Sequence, residues 1–295
     1  MLSAGAIDLH AHTTASDGTY SPSELVELAA RSGLSALGIT DHDTIDGLPE
    51  AAQAARALGI ELVPGVELSV AYPHGRLHLL GYFIEIGAPI LNERLVRLKQ
   101  NRRRRNEQML HRMQELGLPI TWEDVLKAAG GGQVGRPHMA AALVRKGVVS
   151  GIAEAFDRFL AEGRPAHIPK DKIQPPEAIH LIHTAGGIAV VAHPDSLALD
   201  EAALVEALTQ LKSMGLDGME CYYSRYTQDQ TSALLDIARK LDLLVTGGSD
   251  FHGDTKPDVV LGHVIGDLPA PYDLLPPLKE AVQRRRRMEP RLAQA

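Results

Sequence analysis

The chain has 295 residues, with 30 Lys and Arg against 37 Asp and Glu, for a formal net charge of −7 at pH 7. That length allows one large domain or two smaller ones with core enough to need no covalent staple, and the acidic balance argues against a general polyanion-binding surface. A lone cysteine, Cys221, excludes a disulfide framework and any multi-cysteine zinc or iron–sulfur site, and no apolar run approaches the ~20 residues of a membrane span. The first residues, Met1–Leu9, lack the basic start and apolar stretch of a signal peptide, so a cytoplasmic protein of a reducing compartment is expected.

In chain order, strand-like segments fall at Ala6–His12, Ala36–His42, Glu61–Glu67, Leu77–Phe83, Ile188–His193, Gly218–Tyr222 and Leu243–Asp250. Helical patterns at Ser21–Ser32 and Leu48–Leu58 separate the first three. Ser21-Pro22-Ser23-Glu24 opens the first of them with a capping residue, a proline at the first helical position and an acid in the first turn. Strands alternating with helices predict parallel β/α units, closed as a barrel or laid out as a doubly wound sheet. No GxGxxG follows the first strand, so a dinucleotide fold has no support.

The rhythm breaks after the fourth strand. Pro89–Gly117 is helical and Arg-rich, Thr121–Ala129 is a short capped helix, and Gly130–Gly132 is a flexible loop. Helical stretches at His138–Lys146 and Ile152–Leu160 precede a Pro-rich return, Arg164–Pro176. The division predicted is a discontinuous barrel (residues 1–89 and 171–283), a helical insertion (90–170) and a C-terminal tail (284–295). Arg284–Arg287 is expected to be a solvated helix end.

The 13 histidines are placed rather than scattered. In Ile7-Asp8-Leu9-His10-Ala11-His12, strand alternation puts Asp8, His10 and His12 on one face, so two imidazoles can meet one metal ion. Asp17 follows in Ser16-Asp17-Gly18, a turn sequence. The second strand ends in Thr40-Asp41-His42-Asp43, the third in Gly65-Val66-Glu67, and the fourth carries His78. The fifth ends at His193-Pro194 and the seventh in Gly248-Ser249-Asp250-Phe251-His252. A single strand-end His or Asp is ordinarily a surface residue. Six strands delivering such residues to the carboxyl edge, where β/α loops converge, predict a site.

The nine candidates are His10, His12, Asp17, His42, Glu67, His78, His193, Asp250 and His252, more than one ion can coordinate. Two or three ions are expected; imidazole and carboxylate without thiolate suit Mn, Zn or Fe better than Mg. Asp8, Asp41 and Asp43 are expected to accept hydrogen bonds from ligand imidazoles, with a helix N-cap as the equal alternative for Asp43. Glu220, on the sixth strand, is read as structural or as a substrate contact with equal weight. His74, His111, His167, His180, His183 and His263 are not expected to be ligands.

These motifs, running in order through the whole chain, resemble the PHP-domain (polymerase and histidinol phosphatase) metal-dependent phosphoesterases. The resemblance implies an α/β fold, a distorted (β/α)7 TIM-like barrel, holding three divalent ions usually taken as manganese. One ion would take His10, His12, Glu67 and Asp250. A second would take His78, His193 and a bridging Glu67, and a third Asp17, His42 and His252. Glu67, Asp250 and His193 would then be catalytic, as ligands holding a metal-bridging hydroxide that attacks phosphorus. No protein nucleophile is needed, in keeping with the absence of a Gly-x-Ser-x-Gly elbow and the mid-strand setting of Cys221.

Within the family, Arg102…Arg105, Gly135-Arg136-Pro137-His138, Phe156 and Arg164-Pro165 resemble the subfamily acting on nucleoside 3′,5′-bisphosphates. That subfamily includes the RNase AM type, which trims short RNA from its 5′ end. The insertion would cover the active site, with Arg102 and Arg105 sharing a helix face and Arg136 and His138 taking the second phosphate or the nucleotide. Lys170 and Arg225 are further substrate candidates, and the plainer role for Arg136 is a helix cap. The expected partner is a nucleotide or short RNA, with neither a membrane nor an obligate protein partner. The alternatives are a phosphatase for another small metabolite such as histidinol phosphate, or a non-catalytic nucleic-acid-binding module, which the full set of nine ligands disfavours.

Overall fold

The computed structural model describes residues 5–129, 134–170, 172–266 and 268–292. The chain divides into two compact units, Met1–Arg94 with Ile173–Ala295, and Leu95–Lys172. The strands are β1 (Ala6–Ala11), β2 (Ala36–Ile39), β3 (Glu61–Val70), β4 (Leu77–Tyr82), β5 (Ile188–Val191), β6 (Gly218–Tyr223), β7 (Leu244–Gly248) and β8 (Ala270–Pro271). The helices are α1 (Pro22–Ser32), α2 (Leu48–Leu58), α3 (Pro89–Glu115), α4 (Trp122–Ala129), α5 (Arg136–Arg145), α6 (Ile152–Ala155), α7 (Pro175–Thr184), α8 (Glu201–Ser213), α9 (Gln228–Lys240) and α10 (Leu275–Leu292). Among the described residues no helix is long and apolar enough to cross a membrane.

In the first unit all eight strands form one sheet in the order β7-β6-β5-β4-β3-β2-β1-β8. The sheet curls into a nearly closed, distorted barrel. Asp250 N–H donates to His10 O at 2.8 Å and His12 N–H to Phe251 O at 2.9 Å, which ties the chain just beyond β7 to β1. The core packs Ile7, Leu9, Val63, Leu80, Tyr82, Ile188 and Val190 against Leu275, Leu278 and Val282 of α10. The predicted N-cap is present: Ser21 accepts from Glu24 N–H, and the Glu24 carboxylate accepts from Ser21 N–H at 2.8 Å.

Two expectations are corrected. The strands are not all parallel, because β4 runs antiparallel to both β3 and β5. A parallel return needs a crossover of a dozen or more residues, whereas residues 71–76 suffice only for a hairpin-like connection. The reversal puts the start of β4, with His78 opposite Ser69, level with the carboxyl ends of its neighbours. The eighth strand, β8, is a two-residue antiparallel partner of β1, too short to leave a periodic signal.

The C-terminal arginines differ in part: Arg284, Arg286 and Arg287 are exposed as expected, and Arg285 is not. Helix α10 continues through them, and Arg285 Nη2 lies 2.6 Å from Asp217 Oδ1 rather than in solvent. Arg286 donates to Phe83 O at 3.1 Å and to Gly186 O at 3.3 Å. Asp217 also accepts from Ala189 N–H and pairs with His183 Nε2, both at 2.8 Å.

The second unit is helical. The later turns of α3 pack with α4, α5, α6 and a π-helical turn, Phe156–Leu160, around Met109, Met113, Ile120, Val125, Met139, Leu143 and Leu160. The predicted Gly130–Gly132 loop lies outside the described residues.

Two outcomes follow for stability. A Cβ at Gly248 would fall on His10 Cβ and backbone N, atoms that cannot swing away. Gly248→Ala should therefore cost about 1–3 kcal/mol, read as a lowered Tm. Burial raises the Asp217 carboxyl, but His183, Ala189 N–H and Arg285 outweigh it and hold the pKa below the ordinary 3.8. Arg285→Ala should cost about 1.5–3 kcal/mol at pH 7. Asp217's contribution is complete above pH 3.8 and is lost as pH falls through its depressed folded value, so denaturant titrations should show the gap closing in that acid range.

Candidate metal centre

Every predicted ligand arrives at one rim of the barrel. His10 is on β1 with His12 just after it, Glu67 is inside β3, and His78 is on the reversed β4. His42, His193, Asp250 and His252 follow β2, β5 and β7, and Asp17 sits in the turn after β1. Glu67 is fully buried and faces imidazoles on both sides. Its Oε2 lies 3.1 Å from His42 Nδ1, 3.2 Å from His12 Nε2 and 3.4 Å from His10 Nε2. Its Oε1 lies 2.8 Å from His78 Nδ1 and 3.0 Å from His193 Nε2. Asp250 Oδ1 stands 3.2 Å from His12 Nε2 and 3.5 Å from His10 Nε2, and Asp17 Oδ1 is 3.3 Å from His252 Nε2.

These residues fit divalent metal ions. His12 Nε2, His42 Nδ1 and His78 Nδ1 are buried without a hydrogen-bond partner, an arrangement that native interiors avoid unless another ligand is intended. The donor atoms gather in three groups, each within 4.8 Å: His10, His12, Glu67 and Asp250; His12, Asp17, His42 and His252; and His42, Glu67 and His78. The first is the set that the resemblance assigned to one ion. In the others His12 and His42 are shared, and His193 adjoins the Glu67 oxygen that faces His78.

Electrostatics point the same way. Burial opposes charge on Glu67 and Asp250, yet surrounding imidazoles (His42, His78 and His10 for Glu67; His10 and His12 for Asp250) hold both carboxyls well below the usual range. Burial also opposes charge on His12, but the adjacent Asp250 and Glu67 carboxylates lift it to about 9. His42 goes the other way, pushed by burial down to about 3 against the pull of Glu67. The cluster thus sets ionised carboxylates among closely packed imidazoles, an arrangement whose charge bound divalent ions would balance.

An outer layer aims the rings. His10 Nδ1 is 3.0 Å from Glu220 Oε1, while Glu220 Oε2 accepts from His193 N–H at 2.8 Å. Glu220 therefore orients two of the predicted ligands. His193 Nδ1 is 3.1 Å from Ser196 Oγ, and His252 Nδ1 is 2.8 Å from Asp250 O, which turns each Nε2 inward.

The expectation that Asp8 and Asp41 bind imidazoles is corrected. Asp8 accepts from the N–H groups of His10, Ser249 and Gly262 and from Ser249 Oγ. Asp41 holds Thr13 N–H, Thr13 Oγ1 and Ser16 Oγ, and Asp43 holds Ser69 N–H at 2.8 Å. Buried loop amides have to be satisfied, and these carboxylates satisfy them. The alternative for Asp43, the N-cap of α2, is corrected, since that position is Gly47.

Two neighbours of the centre escaped sequence reasoning. Tyr223 donates to Asp250 Oδ2 at 3.0 Å, and Lys256 Nζ lies 2.6 Å from the same oxygen. Neither belongs to a motif; only the fold joins them to Asp250. Burial, then the charge on Asp250, push the Tyr223 phenol up, so it stays a donor.

Of the substrate candidates, Arg225 lies in the first unit, paired with Asp258 at 3.1 Å. Arg102, Arg105, Arg136, His138 and Lys170 lie in the second. Burial, then Arg136 and Arg102, depress Arg105 to about 10, so the three guanidinium groups feel one another. Arg105 Nε donates to Ile168 O at 2.7 Å, and the Arg136 guanidinium sits 5.8 Å from the Phe156 ring centroid. The cap of α5 is made by His138, whose Nδ1 accepts from Gly135 N–H at 3.0 Å, and not by Arg136. Burial lowers the His138 pKa, and with Nδ1 accepting from Gly135 the donor left to a neutral ring is Nε2–H. Lys170 is exposed at the end of the unit.

A family model, the PHP domain, matches residues 8–120. A 5′-3′ exoribonuclease of Haemophilus influenzae is 38% identical over 83% of this chain and 89% of its own. A 3′,5′-nucleoside bisphosphate phosphatase of Chromobacterium violaceum is 30% identical over 89% of this chain and 92% of its own. A crystal structure from Bifidobacterium adolescentis, assigned as a metal-dependent phosphoesterase, superposes with a TM-score of 0.74 at 33% identity, covering 97% of this chain and 98% of that one. With imidazoles and carboxylates converging at the rim, the chain belongs to the PHP-domain family of metal-dependent phosphoesterases.

Proposed function

We propose that this protein removes the 3′-phosphate of nucleoside 3′,5′-bisphosphates and, by the same chemistry, trims short 5′-phosphorylated RNA from its 5′ end. The cytoplasm is the proposed compartment. The observation that carries the reading is Glu67, whose two oxygens face separate sets of imidazoles, an arrangement suited to bridging two ions. The names of the Haemophilus and Chromobacterium relatives support the substrate class. Three divalent ions are proposed, manganese first among them; when bound, they supply an activated water and neutralise phosphoryl charge.

The remaining work falls to the chain. Glu220 holds the His10 ring and the His193 backbone, so their donor atoms are set before substrate arrives. His193 and Asp250 keep left-handed backbones, φ 25° and 58°, held by the hydrogen bonds from their own N–H groups to Glu220 and His10 O. Metal ions accept any phosphoryl group, so discrimination rests on groups that meet the rest of the substrate. Arg102, Arg105, Arg136 and His138 of the helical unit are proposed to take the second phosphate, with Lys170 and Arg225 following the nucleotide. Guanidinium groups suit this because their planar fork matches phosphate oxygens two at a time.

Chelation should abolish phosphate release from adenosine 3′,5′-bisphosphate, and Mn²⁺ should restore it better than Mg²⁺, because six of the nine ligands are imidazoles. Full recovery with Mg²⁺ alone would refute the histidine assignments. Activity on histidinol phosphate, run in parallel, should stay low.

For the second phosphate, Arg136→Ala should remove roughly 1.5–3 kcal/mol of charge-assisted binding, about ten- to a hundredfold in kcat/KM on a 3′,5′-bisphosphate. A simple aryl phosphate should be nearly unaffected, and Arg136→Lys should recover only part of the loss. Equal losses on the two substrates would move Arg136 to the reacting phosphate.

A further inference from the structure

The two carboxylates at the heart of the centre are treated differently by their surroundings. Both Glu67 oxygens face ligand imidazoles, so either is available to an ion. The Asp250 oxygens are sorted. Oδ1 faces His10 and His12, while Oδ2 receives the Tyr223 hydroxyl at 3.0 Å and the Lys256 ammonium at 2.6 Å. A carboxylate oxygen has two lone-pair sites, and these two donors occupy both.

We propose that Lys256 and Tyr223 are positioning residues that reserve Asp250 Oδ2, so that this carboxylate can offer the metal centre one oxygen only. The proposal rests on the metal-centre reading above and adds what limits one of its ligands. A carboxylate free at both oxygens can chelate a single ion and fill a place that water or substrate needs. Two donors from separate elements prevent that. Tyr223 ends β6 and is nearly buried, with its ring 5.5 Å from that of His193. Lys256 follows the single turn Gly253–Thr255, which is pinned by Thr19: Asp254 N–H donates to Thr19 Oγ1 at 3.0 Å, and Thr19 N–H to His252 O at 3.1 Å. Lys256 N–H closes the turn on Gly253 O at 3.0 Å. The lysine is thereby carried back over Asp250 despite being partly open to solvent.

The test uses the full-length protein loaded with Co²⁺, whose visible absorption weakens as coordination number rises. Lys256→Met and Tyr223→Phe should each keep the wild-type metal stoichiometry and lower kcat about tenfold with KM within about twofold, the scale typical of groups behind a metal ligand. The double variant should show a weakened cobalt band, because both lone pairs of Oδ2 are then free. Lys256→Arg, which retains a cationic donor, should recover most of the band and of kcat. A raised KM at unchanged kcat would make Lys256 a substrate contact and overturn the proposal. Unchanged kcat and band in the double variant would reduce the pair to a rim salt bridge and overturn it equally. Failure of the wild type to take up cobalt at all would refute the metal-centre reading itself, a result separate from either.

Discussion

A single buried carboxylate, Glu67, sets the terms for the rest of the molecule. An ionised carboxyl with no access to water is tolerable only when opposite charge or strong donors surround it. Five imidazoles do so, those of His10, His12, His42, His78 and His193. Packing that many rings about one acid creates the reverse difficulty, since the rings repel when protonated. Divalent ions resolve both conflicts together: they carry the positive charge the carboxylate requires and let every ring be neutral. The same arrangement makes the centre a poor place for neutral side chains and a good one for phosphoryl oxygens.

The barrel exists to bring those rings in from distant parts of the chain. Carboxyl edges of parallel strands supply most of them, and the antiparallel β4 adds His78 by turning its start toward the same edge. Beneath the ligands a layer of buried acids, Asp8, Asp41 and Asp43, ties down the backbone amides of the ligand-bearing loops. Glu220, Ser196 and the Asp250 carbonyl aim the rings of His10, His193 and His252. Placement of those three rings is thus set by hydrogen bonds that no metal ion has to form.

How much of this the sequence discloses depends on whether the signal is local. His10-Ala11-His12, the capping sequence at Ser21 and the strand-ending ligands announce themselves, because alternation and turn chemistry act over a few residues. The direction of β4 hid in the length of a connection rather than in its composition. The partners of Asp8 and Asp41 hid because a buried acid beside a histidine reads equally as ring-binding or amide-binding until the loops are folded. Tyr223 and Lys256 lie 27 residues before and six after Asp250, and nothing local in either stretch marks the meeting. Arg285 passed for one more solvated arginine of its run because Asp217, the acid that receives it, is 68 residues away.

The seam of the barrel carries a consequence for how the chain comes to be functional. His10 and His12 stand on one side of it, Asp250 and His252 on the other, and main-chain hydrogen bonds from Asp250 to His10 and from His12 to Phe251 stitch the sides together. A polypeptide emerging from the ribosome amino end first exposes seven of the nine ligands before the last two exist. The candidate centre is therefore a clasp, whole only where the two edges of the barrel meet, so whatever loosens that seam separates its histidines from Asp250.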